Sequence, residues 1–235
     1  MASPATKKAP SRKAAAAPAA APAAPAVSTP RLAPEEREQI IVQKAIRYFA
    51  EHGFGASTRD LAKEIGVSQP LLYRYFPNKQ ALADRVFEEV YLSRWNPEWE
   101  EILADRKRPL ADRLHDFYQR YSKVILQRDW IRIFIHAGLS REGINSRYLA
   151  RLRERIFNVV LSELRREFKF SDPTPQQYED EIEFVWGLHA AIFYVGMRQS
   201  VYGLPVPADI GRLIDQKLEA FMASAPSVLK NIRKK

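Results

Sequence analysis

Apolar residues recur at spacings of three and four from Val42 almost to the end of the chain, and no stretch of any length alternates apolar and polar as a half-buried strand would. An all-α fold of about nine helices is therefore expected. Val42, Ile46 and Phe49 mark a first helix between the acids Glu35 and Glu36, which suit a helix N-terminus, and a stop at Gly53. A fourth helix is expected from Asn78 towards Trp95 on Leu82, Val86, Phe87 and Val90. Pro97 and Pro109 punctuate a looser stretch, after which Leu114, Phe117, Tyr121 and Val124 to Leu126 mark a long fifth helix. Others are expected from Asp129 to about Gly138, from about Ile144 to Phe168, and over about 208–222. Thr174, with Pro175 at N1 and Gln177 three residues past the cap, opens a helix that reaches Ser200 before Gly203 and Pro205 end it.

The second and third helices lie in residues 57–79 and carry most of the chemistry. Ser57 is an N-cap that Asp60 can close into a box, with Leu61, Ala62 and Ile65 on the inner face. Gly66 supplies the left-handed residue of a sharp turn, and Val67 plugs the crossing that follows. Ser68 caps the next helix, Pro70 falls harmlessly in its first turn, and Pro77 ends it. Leu72 and Phe76 give this short helix a buried stripe, which leaves Gln69, Leu71, Tyr73, Arg74 and Tyr75 outward. Tyr and Arg donors suit phosphate oxygens and base edges, and Gln pairs with adenine through two hydrogen bonds. The layout is that of a helix-turn-helix DNA reader.

These residues resemble the TetR family of bacterial transcriptional regulators: Thr58-Arg59, the Gly66-Val67 turn, Gln69-Pro70, Leu72-Tyr73 and Asn78-Lys79 carry the likeness, which covers roughly 35–90. It implies that Thr58, Tyr73 and Lys79 hold phosphates and that Arg59, Gln69, Pro70 and Leu71 sit where bases are read, with Ser68, Arg74 and Tyr75 on the same DNA-binding surface. The chain departs from the tetracycline-repressor branch of the family at Leu71, Arg74, Tyr75 and Phe76, which leaves the docking mode standing and the operator sequence open. The resemblance also implies a dimer through the last two helices.

The helical body supports that implication. From Phe184 to Met197 the only strongly polar side chain is His189, and fourteen residues are too few to span a bilayer. A helix apolar on all sides needs cover on two faces, one from its own domain and one from a second subunit. The last helix, carrying Ile210, Leu213, Ile214, Leu218 and Phe221, completes a four-helix interface. Two readers held about 34–36 Å apart read a palindrome, so their spacing is a natural control variable. The body is rich in amphipathic aromatics. Phe117, Tyr121, Trp130, Phe134, His136, Trp186, His189, Phe193 and Tyr194 are therefore the candidate lining of an apolar effector pocket.

Composition adds limits. A formal charge of +9 over 235 residues favours an anionic partner, and the absence of Cys excludes disulfides, a thiolate nucleophile and a Cys-based zinc site. Residues 1–34, mostly Ala and Pro with scattered Lys and Arg, have too few large apolar side chains to fold and are expected to be a disordered tail without a secretory signal. With only four His and none of the common nucleotide or hydrolase motifs, no catalytic site, metal site or cofactor is expected. The expected domains are a reader over 35–80, a ligand-binding and dimerisation body over 81–225, and a basic tail over 226–235. The function so read is a cytoplasmic homodimeric repressor, released from a palindromic operator in duplex DNA by a small apolar or aromatic effector, with no membrane contact. The alternative is a constitutive dimeric DNA binder.

Overall fold

A computed structural model describes residues 33–140 and 143–234; apart from its last two residues, the tail expected over 1–34 lies outside them. Among the described residues every regular element is helical. The elements are α1 (Pro34–His52), α2 (Thr58–Ile65), α3 (Gln69–Tyr75), α4 (Lys79–Phe87), α5 (Glu98–Ala104), α6 (Leu110–Ile125), α7 (Arg128–Ser140), α8 (Ile144–Leu152), α9 (Asn158–Glu167), α10 (Pro175–Ser200) and α11 (Ile210–Ile232). A π-helical turn, Glu88–Leu92, extends α4, and another, Arg153–Phe157, joins α8 to α9 in one rod.

Local signals place most of the boundaries. Asn78 caps α4 by accepting from the N–H of Ala81. The expected box at the head of α10 is complete, with Thr174 Oγ1 accepting from the N–H of Gln177 while the Gln177 side chain accepts from the Thr174 N–H. Helix α5 falls in the stretch that the prolines marked as looser. Trp99, Ile102 and Leu103 bury one side of it against α6, so packing makes helical a segment whose flanking prolines mark only its ends.

The end of the chain differs more. A basic tail was expected over 226–235, after a helix ending near 222, yet α11 runs to Ile232 with Pro226 inside it. The cause is tertiary. Glu181, fully buried in α10, accepts from Arg165 of α9 at 2.7 Å and from Arg233 at 2.9 Å, so a residue expected to be solvated closes an ion-pair network.

Helix α1 packs along α7 and against α2 and α4, which seats the N-terminal helices on the body. Its end is tied down from α7: Arg132 Nε donates to the Ala50 carbonyl at 2.6 Å, and its Nη1 reaches the Ser200 carbonyl at the end of α10 at 3.3 Å. One guanidinium thus satisfies carbonyls at the C-termini of two helices. Just beyond α1, Gly53 has φ +70°, and a Cβ there would lie 2.8 Å from Nδ1 of His136. Gly53→Ala is expected to destabilise the protein by about 1–3 kcal/mol through strain and overpacking, read as a lowered midpoint in urea. An unchanged midpoint would show that His136 moves aside freely.

Candidate nucleic-acid interface

The two short helices form as their caps dictate. Ser57 Oγ accepts from the Asp60 N–H at 3.1 Å and donates to the Asp60 carboxylate at 2.6 Å, so the acid closes on the hydroxyl rather than on the cap backbone. Gly66 adopts φ +80°, and its N–H returns to the carbonyls of Ala62 and Lys63. From α1, Lys44 Nζ donates to the Ile65 carbonyl at 2.6 Å, a C-terminal cap that sequence spacing did not reveal. Ser68 accepts from the Leu71 N–H, and Phe76 ends α3 before Pro77.

What α3 presents follows from its buried stripe. Leu72 and Phe76 are buried in the core, which leaves Ser68, Pro70, Tyr73 and Arg74 exposed and Gln69 and Leu71 half-buried. Tyr75, expected outward, packs its ring partly against the core. A seven-residue helix exposes too little circumference for every residue off its stripe to face solvent. Arg59 lies on the first turn of α2.

Thr58 is a hub between the two helices. Its Oγ1 lies 3.0 Å from the Tyr73 hydroxyl and accepts from Gln69 Nε2 at 3.1 Å. Hydrogen bonds to Thr58, then to Gln69, pull the Tyr73 phenol below its ordinary range. Three polar side chains named from the sequence are thus held in one arrangement before any partner arrives, which reduces the rotamer entropy lost on contact. Lys79 Nζ donates to the Ala56 carbonyl at 2.6 Å and is half-buried, so it braces the loop before α2.

Residues 41–86, spanning this reader, match the family description "Bacterial regulatory proteins, tetR family". This stretch of the chain is similar to the N-terminal domain of TetR-family regulators. Among its relatives, an uncharacterized HTH-type transcriptional regulator, YuxN of Bacillus subtilis, is 39% identical over 49 residues, 20% of this chain and 17% of that protein. The nucleoid occlusion factor SlmA of Haemophilus influenzae is 35% identical over 71 residues, 28% of this chain and 33% of that protein. The chain thus spans no more than a third of either curated relative. A likeness of fold extends further: a TetR-like transcriptional regulator from Rhodococcus sp. RHA1 matches at TM-score 0.63 and 18% identity, covering 82% of this chain and 99% of that one. PfmR, a TetR-family transcriptional regulator from Thermus thermophilus, matches at TM-score 0.56 and 17% identity over 78% and 97% of the two chains. At such identity the likeness is one of fold.

The residues expected to line an effector pocket in the helical body divide. Phe117, Tyr121, Trp130 and His189 are buried and Phe134, Trp186 and Phe193 half-buried, in one continuous aromatic cluster. Phe117 stacks on Tyr121 at 5.1 Å, Trp130 on Phe134 at 5.0 Å, and His189 on Phe193 at 6.1 Å. Two residues do not belong. His136 faces the end of α1 beside Gly53, where burial and then the charge of Arg132 lower its pKa, and Tyr194 is 52% exposed against Tyr202. Helical spacing put both on the right elements but could not fix their faces. Tyr148, which the sequence did not single out, sits in the cluster with its hydroxyl 3.0 Å from that of Tyr121, and Tyr91 donates from the π turn to the Trp130 carbonyl at 3.1 Å. Only tertiary packing of the α8 rod brings Tyr148 there. The Tyr118 hydroxyl and His189 Nδ1 are buried without a protein partner, and burial pushes His189 down to about 4, so its ring is neutral at pH 7.

Proposed function

We propose that this protein is a cytoplasmic, homodimeric, sequence-specific DNA-binding transcriptional regulator of the TetR family. The Thr58, Gln69 and Tyr73 hub, flanked by Arg59 and the exposed Arg74, carries the reading. It offers several donors on one ridge, with Gln69 and Leu71 for base edges and Thr58, Tyr73 and Lys79 for phosphates. No described helix is long and apolar enough to cross a membrane. The test is selection of bound sequences from a random duplex library: a palindrome with half-sites about one helical turn apart is expected, whereas equal binding of random duplexes would favour the constitutive binder.

The dimer is proposed to form through α10 and α11. Gly187, Ala190 and Tyr194 lie on one face of α10, where Ala190 and Tyr194 are exposed, and the small side chains let a second helix approach. Ala191 is half-buried towards its own domain, so Ala190 is the better probe. Ala190→Glu is expected to convert dimer to monomer with the helical content kept, since burying an unpaired carboxylate costs several kcal/mol on the order of its desolvation. A stable dimer in equilibrium sedimentation would remove this face from the interface.

Repression is proposed to end when a small apolar or aromatic effector enters the aromatic cluster. The Tyr118 hydroxyl and His189 Nδ1 support this: buried polar atoms without partners are costly, and a ligand carrying one donor and one acceptor would satisfy both. The rings pack on one another, so entry selects a conformation in which they part. Phe134→Ala, which opens the half-buried side of the cluster, is expected to reduce effector-induced release from DNA several-fold while leaving effector-free affinity nearly unchanged. Equal release in variant and wild type would place the effector elsewhere.

A further inference from the structure

We infer that the cleft between the α5–α6 loop and the end of α9 binds a small phosphorylated anion, separately from the DNA reader and the aromatic cluster. The cleft encloses about 390 Å³, and five of its lining side chains are cationic against two carboxylates, Glu163 and Glu167. Much of that charge is already compensated. Glu163 is held by Arg106 at 2.7 Å and by Arg113 at 2.9 Å, and Arg108 pairs with Asp116 at 3.0 Å. Lys107 and Arg166 are exposed at the cleft, and no ion pair among the described residues engages either.

Two further observations point to a ligand. Arg113 is only 4% exposed, lines the cleft, and its Nε has no hydrogen-bond partner. A buried donor on a charged group is expensive to leave unpaired, so an acceptor entering this wall gains what the free protein forfeits. The cleft is also bounded by Pro109 and Leu110, the head of the 16-residue helix α6, where Pro109 offers no side-chain cap. The positive end of α6 therefore meets whatever occupies the cleft.

The chemistry selects a compact, multiply charged anion. A single carboxylate would leave much of the excess charge uncompensated, whereas a phosphate or pyrophosphate group takes guanidinium forks, an ammonium and helix N–H groups together. A DNA backbone is disfavoured by shape, because Arg113 is reached only by a group that enters the recess. A second cleft of about 420 Å³ lies on the other side of Arg106 and includes Asn158 and Ser162, polar side chains suited to the uncharged part of such a molecule.

The test uses the full chain and inorganic pyrophosphate, titrated calorimetrically at fixed ionic strength against a sodium chloride blank, with nitrogen NMR of the arginine Nε groups in parallel. One saturable site per chain and a shift of the Arg113 Nε signal are expected. The double variant Lys107→Glu, Arg166→Glu changes only exposed side chains and is expected to weaken binding at least tenfold without altering the thermal midpoint measured without pyrophosphate. Heat matching the blank, an unmoved Arg113 signal, or undiminished binding by the variant would overturn the assignment. So would displacement of pyrophosphate by duplex DNA in a variant whose reader is disabled at Arg59, which would make the cleft a second nucleic-acid contact. Should the double variant misfold, the wild-type Arg113 signal decides by itself.

Discussion

Arg59→Ala is expected to lower affinity for the cognate palindrome by roughly 30-fold to 10⁴-fold. A side chain that reads a base edge contributes about 1–3 kcal/mol, and in a homodimer the loss is taken twice, once in each half-site. The effect should be local to the operator. Arg59 lies on the first turn of α2 and has no intramolecular ion pair among the described residues, so its removal leaves the folded protein as stable as before. Binding to random duplexes should fall much less, because one phosphate-directed charge per subunit alters mainly the salt dependence. Direct titration of wild type and variant on the selected palindrome and on a scrambled duplex measures both losses. Equal losses on the two duplexes would move Arg59 from base readout to phosphate positioning.

Glu163→Ala is expected to destabilise the fold by about 3–5 kcal/mol, the range for breaking a buried ion pair from one side. Arg106 is mostly exposed and regains water when its partner goes, but Arg113 is 4% exposed and is left with the Leu103 carbonyl alone. The cost therefore falls on Arg113. The same pair sets a pH dependence. Desolvation pushes the Glu163 carboxyl up, but hydrogen bonds from Arg106 and Arg113 outweigh it and leave the group below its ordinary value. A carboxyl depressed in the folded state contributes stability above its unfolded pKa, about 4.3, and that contribution is lost as pH falls through the lower folded value. Wild type should accordingly lose more stability than Glu163→Ala below about pH 4.3. Urea midpoints taken from pH 6 down to pH 3 decide the matter, and parallel curves for the two proteins would show that Glu163 is not the group responsible.

Much of this protein is set by short-range chemistry and was therefore legible in the sequence. Ser57, Gly66, Ser68, Asn78 and Thr174 each satisfy or redirect backbone groups within four residues, so the ends of α2, α3, α4 and α10 could be read from residue type and spacing. The buried stripe of Leu72 and Phe76 is equally local, and with it the choice of Tyr73 and Arg74 as outward residues. Tertiary structure decided whatever depends on which surfaces meet. Tyr75 was half-covered, α5 became helical, and His136 turned to α1 instead of joining the aromatic cluster, because periodicity assigns a residue to a stripe without saying what covers that stripe. The end of the chain shows the reason most plainly. Arg233 looks like one more charge in a solvated tail until α10 buries Glu181, and a buried carboxylate, too costly to leave unpaired, draws a guanidinium from more than fifty residues away and keeps α11 helical to Ile232.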